Sequence, residues 1–227
     1  MKPASLRVVV YRATRAALDV RQLVRRDAGA ALAVVAFVAD DAGDEHEIDG
    51  VQIIAFDAWR AHRPKPPCLL VSLDPAERRA QAHLLSAAGG EPAGLRPSGN
   101  SVSPSVVLGE GTIFVPGPMF VSRARIGRHV IVMPYVSIAH DCVIGDFATI
   151  YASAVLSGYV VLEDDVVVGP GAIIANGTPE RALRVGRGAR VAAGAVVTKT
   201  IPAGALVTGN PGRIVAAQHL PGFDHEG

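Results

Sequence analysis

The sequence predicts a small α/β domain followed by a β-solenoid, and three observations predict it. Large apolar residues recur every six positions through the second half. Strand-like and helix-like runs alternate through the first half. A stretch rich in glycine, proline and serine, Glu91 to Asn100, makes a natural linker between them. The expected organisation is 1–98 for the α/β domain, 99–214 for the solenoid and 215–227 for a C-terminal tail.

Leu6 to Tyr11 is a β-branched run and predicts a strand, and Thr14 to Arg26 can form a helix. Ala33 to Ala39 is an apolar run suited to a buried parallel strand. Val51 to Phe56 and Cys68 to Leu73 are further short strand candidates. The last leads into Asp74-Pro75-Ala76-Glu77, a helix start with Asp as N-cap, Pro in the first turn and Glu three residues after the cap. That helix should run to about Ala88 and stop at Gly89-Gly90. The order β-α-β-β-β-α implies a Rossmann-like domain with a largely parallel sheet.

The second half repeats. Stepping by six from Val102 gives Leu108, Phe114, Phe120, Ile126 and so on to Ile174, thirteen large apolar residues in a row. If roughly a third of positions were such residues, the chance would be on the order of one in a million. The position four later is mostly apolar or small, and glycine, proline and polar residues fill the rest. The pattern breaks once, at NGTPERALR, and resumes five residues out of phase with Val185, Val191 and Val197. Period six fits neither an amphipathic helix nor an alternating strand. It fits very short strands joined by tight turns, three hexads to a triangular coil, with coils about 4.8 Å apart. Each inward residue then stacks on the one eighteen later. Cys142 falls at an inward small position and reads as a packed core thiol.

Composition narrows the function. Twenty-two lysines and arginines against 21 acids leave a net charge of +1, no footprint for nucleic acid or an anionic membrane. Aromatics at 5% argue against a base-stacking platform. The longest apolar run, Ala28 to Ala39, is too short to span a bilayer, and MKPASLRVVVYRATR lacks the apolar core of a signal peptide. Cys68 and Cys142 are too few for a disulfide framework or a zinc site. A cytoplasmic protein with reduced thiols and no metal is expected.

The phrases RIGRHVIV, HDCVIGDF, LSGYV and VVTKTIPAGALVTGNPGRIV, with FVADD and IDGVQII in the first half, carry a family resemblance. The chain resembles the hexapeptide-repeat acyltransferases, and among them the bacterial sugar acetyltransferases of the PglD and NeuD type. The resemblance implies a left-handed β-helix, a homotrimer with active sites between subunits, and acetyl-CoA as acyl donor. It implies transfer to an amino sugar, often nucleotide-linked.

Acyl transfer from a thioester needs a general base, donors for the oxyanion and a slot for the carrier. Of seven histidines, only His129 and His140 lie in the repeat. His140 takes the third position of its hexad, where a turn should point it outward. The resemblance singles out His140-Asp141, where PglD-like enzymes carry His-Glu. A carboxylate beside an imidazole favours the protonated ring and makes it a better base. The solvated-turn reading of the pair is the bland alternative. For His129 a structural role is the expectation. Coil arithmetic stacks Gly158, then Asn176, above His140. A glycine beside the base leaves room for a thioester and offers a backbone N–H to its carbonyl. By resemblance, Thr149 and Pro170 fall at donor-contact positions through backbone or shape, and Lys199 reaches toward a CoA phosphate. No acyl-enzyme is expected, because Cys142 points inward and Ser157 lacks a base.

The chain departs from the family in its first half. PglD-like proteins run from the first strand into a glycine-rich turn, where this chain has Tyr11-Arg12-Ala13-Thr14-Arg15-Ala16. Leu73 stands where a second glycine is usual. Asp40 and Asp41 keep the acidic pair after the second strand, and Arg12 is placed to meet phosphates by charge. Asp141 is one methylene shorter than the family's Glu, and Tyr159 stands where Asn is commoner. The acceptor is therefore a nucleotide-linked amino sugar, or a simpler sugar or natural-product glycoside acylated on oxygen. A trimeric binding scaffold is the non-enzymatic alternative. A γ-type carbonic anhydrase would need three converging histidines, and the repeat offers two.

Overall fold

The structure, a computed structural model, describes residues 6–11, 32–40, 47–96, 101–115 and 120–215. The first half forms one sheet. Strands β1 (Leu6–Tyr11), β2 (Leu32–Ala39), β3 (Glu47–Ile48), β4 (Val51–Ala55) and β5 (Cys68–Leu70) lie in the order β3-β4-β2-β1-β5. All neighbours pair in parallel except β3 and β4. That hairpin was not expected. Its signal is Asp49-Gly50, both at positive φ, the two-residue turn that matches strand twist. Helix α1 (Phe56–Ala61) begins where β4 ends, at the residue expected to be strand, because Trp59 gains a buried site there. Helix α2 (Pro75–Ala87) starts and stops as the sequence predicts. Asp74 accepts from the Glu77 N–H at 2.9 Å, and Gly89 follows at φ 66°. The helix predicted over 14–26 lies outside the described residues.

The second half is a triangular coil of three parallel faces. The first face stacks Val107–Leu108, Arg125–Ile126, Val143–Ile144, Val160–Leu162 and Leu183–Val185. The second runs from Ile113–Phe114 up through Thr149–Ile150 and Arg190–Val191 to Leu206–Thr208, and Arg213–Val215 closes it antiparallel. The third runs from Ser101–Val102 through Ser137–Ile138 to Val196–Val197. Inward strand residues build the core, among them Ile126, Ile144, Leu162 and Val185 on the first face, and small turn residues such as Ala124, Val130 and Ala148 fill between them. Burying each such side chain contributes about 1.5–3 kcal/mol.

The ladder follows the hexad count with two adjustments. Val121, not Phe120, pairs with Ile138, and Val121 lies in the core one residue later than the six-step count places it. Leu162 then pairs with Val185, twenty-three residues on, which is the predicted five-residue phase jump.

The first-half sheet packs one side, Val8, Val10 and Phe37, against the outward residues Ile113 and Ile131 of the second face. The seam is closed by Arg78 of α2, which is fully buried. Its guanidinium donates to the main-chain oxygens of His129 (2.8 Å), Phe147 (2.5 Å) and Ala148 (3.2 Å), to Thr149 Oγ1 (2.9 Å) and to Ser72 O. Burial lowers its pKa to about 10, so it stays charged at neutral pH. Glu91 to Asn100 has a linker's composition but is pinned as far as it is described. Pro92 bridges to Cys68 and Leu95 to Ile113, and Ala93 and Leu95 are buried.

Candidate active site

The corner between the third and first faces carries His140 and Asp141. Ile138 ends one strand, Val143 begins the next, and the turn between them needs one residue in the left-handed region. Asp141 supplies it at φ 60°. This throws both side chains outward, half-exposed. His140 Nδ1 and Asp141 Oδ2 are 2.8 Å apart, so the shorter acid still reaches the ring. The His140 hydrogen bond is the largest influence holding the Asp141 carboxyl below its usual range, and Arg123 and Tyr159 act the same way. Arg123 Nη2 lies 3.2 Å from the same Oδ2. The Tyr159 ring meets the imidazole edge-on, centroids 5.1 Å apart.

The other ring edge faces Gly158. A Cβ built there would sit 2.7 Å from His140 Cε1 and 2.9 Å from Nε2. Only glycine leaves the ring its place. Among the described residues Nε2 has no hydrogen-bond partner. The strand register carries this corner upward. Ile138 pairs with Leu156, Leu156 with Ile174 and Ile174 with Val197. Two residues on from each are His140, Gly158, Asn176 and Lys199, one above another. The sequence arithmetic stacked the first three. Lys199 joins them because the phase jump restores the register a coil later.

The remaining predicted residues lie elsewhere. Thr149 is fully buried on the second face, donating to Leu73 O at 2.9 Å while accepting from Arg78. It belongs to the seam, and no donor molecule can touch it there. Pro170 is exposed at the corner between the second and third faces. Asp40, at the carboxyl end of β2, accepts from the Tyr11 hydroxyl at the end of β1. Arg12 and Asp41 lie outside the described residues. His129 is a structural residue. It is buried and stacks on Phe147 at 4.9 Å, and its pKa falls to about 4 through burial and then Arg78. Cys142 is buried behind His140 with its Sγ 3.1 Å from Ser157 O, and burial raises its pKa, so it is an inert thiol. Among the described residues no three His, Cys, Asp or Glu side chains cluster to hold a metal. No helix among them is long and apolar enough to cross a membrane.

Coiled hexads carrying an outward histidine–carboxylate pair on one corner are the architecture of a hexapeptide acyltransferase. The family model described as bacterial transferase hexapeptide (six repeats) matches residues 123–158, which contain His140, Asp141 and Gly158. The chain is 33% identical over 194 residues to the GDP-perosamine N-acetyltransferase of Escherichia coli O157:H7, covering 85% of this chain and 86% of that one. Among solved structures it is similar to WeeI from Acinetobacter baumannii AYE, with a TM-score of 0.82, 30% identity, and 92% of this chain and 100% of that chain covered. It is also similar to a histidine-to-alanine mutant of the GDP-perosamine N-acetyltransferase of Caulobacter crescentus in complex with CoA and GDP-perosamine. There the TM-score is 0.66 and the identity 26%, over 92% of this chain and 96% of that one. The chain belongs to the hexapeptide-repeat transferases, in their PglD- and NeuD-like branch of sugar acetyltransferases, and is an acyl-CoA-dependent acetyltransferase.

Proposed function

We propose that this enzyme transfers the acetyl group of acetyl-CoA to the amino group of a nucleotide-linked amino sugar, with His140 as general base. The observation that carries the reading is the placement of the imidazole, with Nδ1 2.8 Å from the Asp141 carboxylate and Nε2 turned to the open corner beside Gly158. In the step itself the acceptor nitrogen attacks the thioester carbonyl carbon. His140 Nε2 takes the N–H proton, and the Asp141 carboxylate stabilises the imidazolium that forms. The Gly158 N–H is the candidate donor to the developing oxyanion. The C–S bond then breaks, CoA leaves as the thiol with the proton returned by His140, and the amide remains. Asn176 and Lys199 continue the corner as the track for the carrier, with Lys199 at the far end for a phosphate.

The coil is taken to wind left-handed on the family's precedent, and residues 1–98 are taken as the acceptor-binding domain. Its binding crevice would lie where parallel strands end, near Tyr11, Asp40 and the start of α2, with Arg12 and Asp41 following in sequence. We further propose a homotrimer with the active site between neighbouring copies, in the cytoplasm. Support for this comes from the triangle. The sheet covers the second face, and His140 stands at the opposite corner. An acceptor held by one chain's sheet therefore reaches a neighbour's His140 more readily than its own. Pro170 would meet the donor from such a neighbour.

The test is acetyl-CoA turnover, read as free thiol, against nucleotide-linked amino sugars (GDP-perosamine among them) and free sugars, for wild type and His140→Ala. Turnover with a nucleotide-linked amine, lost in His140→Ala, is expected. A free sugar preferred as acceptor, or full activity in His140→Ala, would overturn the corresponding part.

A further inference from the structure

We propose that Arg123 and Tyr159 are positioning residues for the His140–Asp141 pair. They hold the short Asp141 side chain on the Nδ1 side of the imidazole and so keep Nε2 presented to the acceptor. This rests on the reading of His140 as the base.

The two residues flank Asp141 in the coil. Arg123 stands eighteen residues before it and Tyr159 eighteen after, one coil below and one above. All three take the left-handed conformation, with φ 41°, 60° and 59°. The main chain ties them together, since the Asp141 N–H donates to Arg123 O at 2.9 Å. Equal backbone geometry at successive turns sends the three side chains off the corner in the same direction, where they meet. Asp141 Oδ2 faces the Arg123 guanidinium at 3.2 Å and His140 Nδ1 at 2.8 Å. The Tyr159 ring stands at 85° to the imidazole, 5.1 Å between centroids, and Tyr159 adds to the influences that hold the Asp141 carboxyl below its usual range.

The chemical need for such help is specific. A neutral imidazole acts as a base only at the nitrogen that lacks the proton, and a partner accepting from Nδ1–H commits the ring to that tautomer. A lone half-exposed aspartate rotates freely about its two torsions, and each rotation releases Nδ1. An arginine drawing on the same oxygen and a tyrosine packed against the ring remove those alternatives. The pair is surface-exposed, so its worth lies in orientation rather than in stability.

The experiment compares Arg123→Ala, Arg123→Lys, Tyr159→Phe and the double Arg123→Ala/Tyr159→Phe with His140→Ala. One readout is steady-state kinetics with acetyl-CoA and GDP-perosamine. The other is nitrogen NMR of protein labelled in histidine, with the His140 signals identified by their loss in His140→Ala. This needs no acceptor. We expect kcat to fall about tenfold in Arg123→Ala and roughly a hundredfold in the double variant, with KM within about twofold, and Arg123→Lys to recover most of it. The Nε2 resonance of neutral His140 should move from the unprotonated position toward a tautomer average in the double variant. A purely structural role would lower the melting temperature and leave the tautomer where it was. An unchanged tautomer and kcat in the double variant, with His140→Ala inactive, would overturn the positioning role and leave His140 as the base. Full activity in His140→Ala would overturn the base assignment itself.

Discussion

Arg78 reaches from helix α2 across the seam and donates through Nε to the main-chain oxygen of His129, 2.8 Å away. Its remaining donors go to Phe147, Ala148, Thr149 and Ser72, so one side chain satisfies carbonyls from two coils of the solenoid and one loop of the sheet. Arg78→Ala should strip the His129, Phe147 and Ser72 carbonyls of this donor, while Ala148 O keeps the Ile131 N–H, and should lower stability by about 3 kcal/mol. Chemical denaturation of the purified variant measures it. A change below 1 kcal/mol would mean that water replaces the guanidinium.

Acid should weaken the fold through His129. Its pKa is lowered to about 4 in the folded protein against 6.5 in the unfolded chain, so the unfolded chain binds the proton first. Stability is therefore whole above pH 6.5 and is lost as pH falls from there toward 4. His129→Phe keeps the stack on Phe147, which itself holds an aromatic ring in the same backbone conformation. That variant should show a shallower loss than wild type over this interval in denaturation series at stepped pH.

Gly158→Ala should damage turnover without damaging the fold. The new methyl would sit 2.7 Å from His140 Cε1, and the ring, half-exposed, would swing away. A displacement of this size at the base costs about a hundredfold in kcat. The melting temperature should stay within a few degrees of wild type.

Two other glycines separate crowding from backbone strain. At Gly145 a Cβ would lie 2.6 Å from the Asp164 main-chain nitrogen, in the coil above. Gly145→Ala must push two coils apart and should cost more than about 3 kcal/mol. Gly171 has nothing within 4 Å but holds φ 65°. Gly171→Ala should cost only about 1 kcal/mol, the ordinary left-handed penalty. Equal losses in the two variants would refute the distinction.

The coil was legible because its signal is local and repeated. Each hexad carries its own inward residue and its own turn, so the register could be counted, including the jump between Leu162 and Val185. Phe120 was misplaced because a six-step count cannot see a rung that falls one residue late, with Val121 opposite Ile138. The column of His140, Gly158 and Asn176 followed from the same counting. Arg123 and Tyr159 were countable too, at eighteen residues either side of Asp141, but nothing in the sequence marks a carboxylate as needing neighbours. The seam was not legible. Arg78 and Thr149 meet across seventy-one positions through a packing of two halves that no periodicity encodes, and the resemblance set Thr149 against the acyl donor instead. Trp59 and α1 were hidden for a related reason, since the run from Val51 to Phe56 reads as one apolar segment.

A stack of parallel rungs is a template. Each rung offers the next the same row of amide donors and acceptors, and nothing in the repeat says when to stop. In this chain, Arg213–Val215 folds back antiparallel over Leu206–Thr208 at one end, and Leu95 bridges to the strand at Ile113 toward the other. The reversed strand ends the parallel pattern on its face, so a further rung there would meet the wrong polarity. Growth along the axis is thereby discouraged by the chain itself. The sides of the prism stay free of this constraint, which suits the flank-to-flank trimer proposed above and disfavours end-to-end fibres.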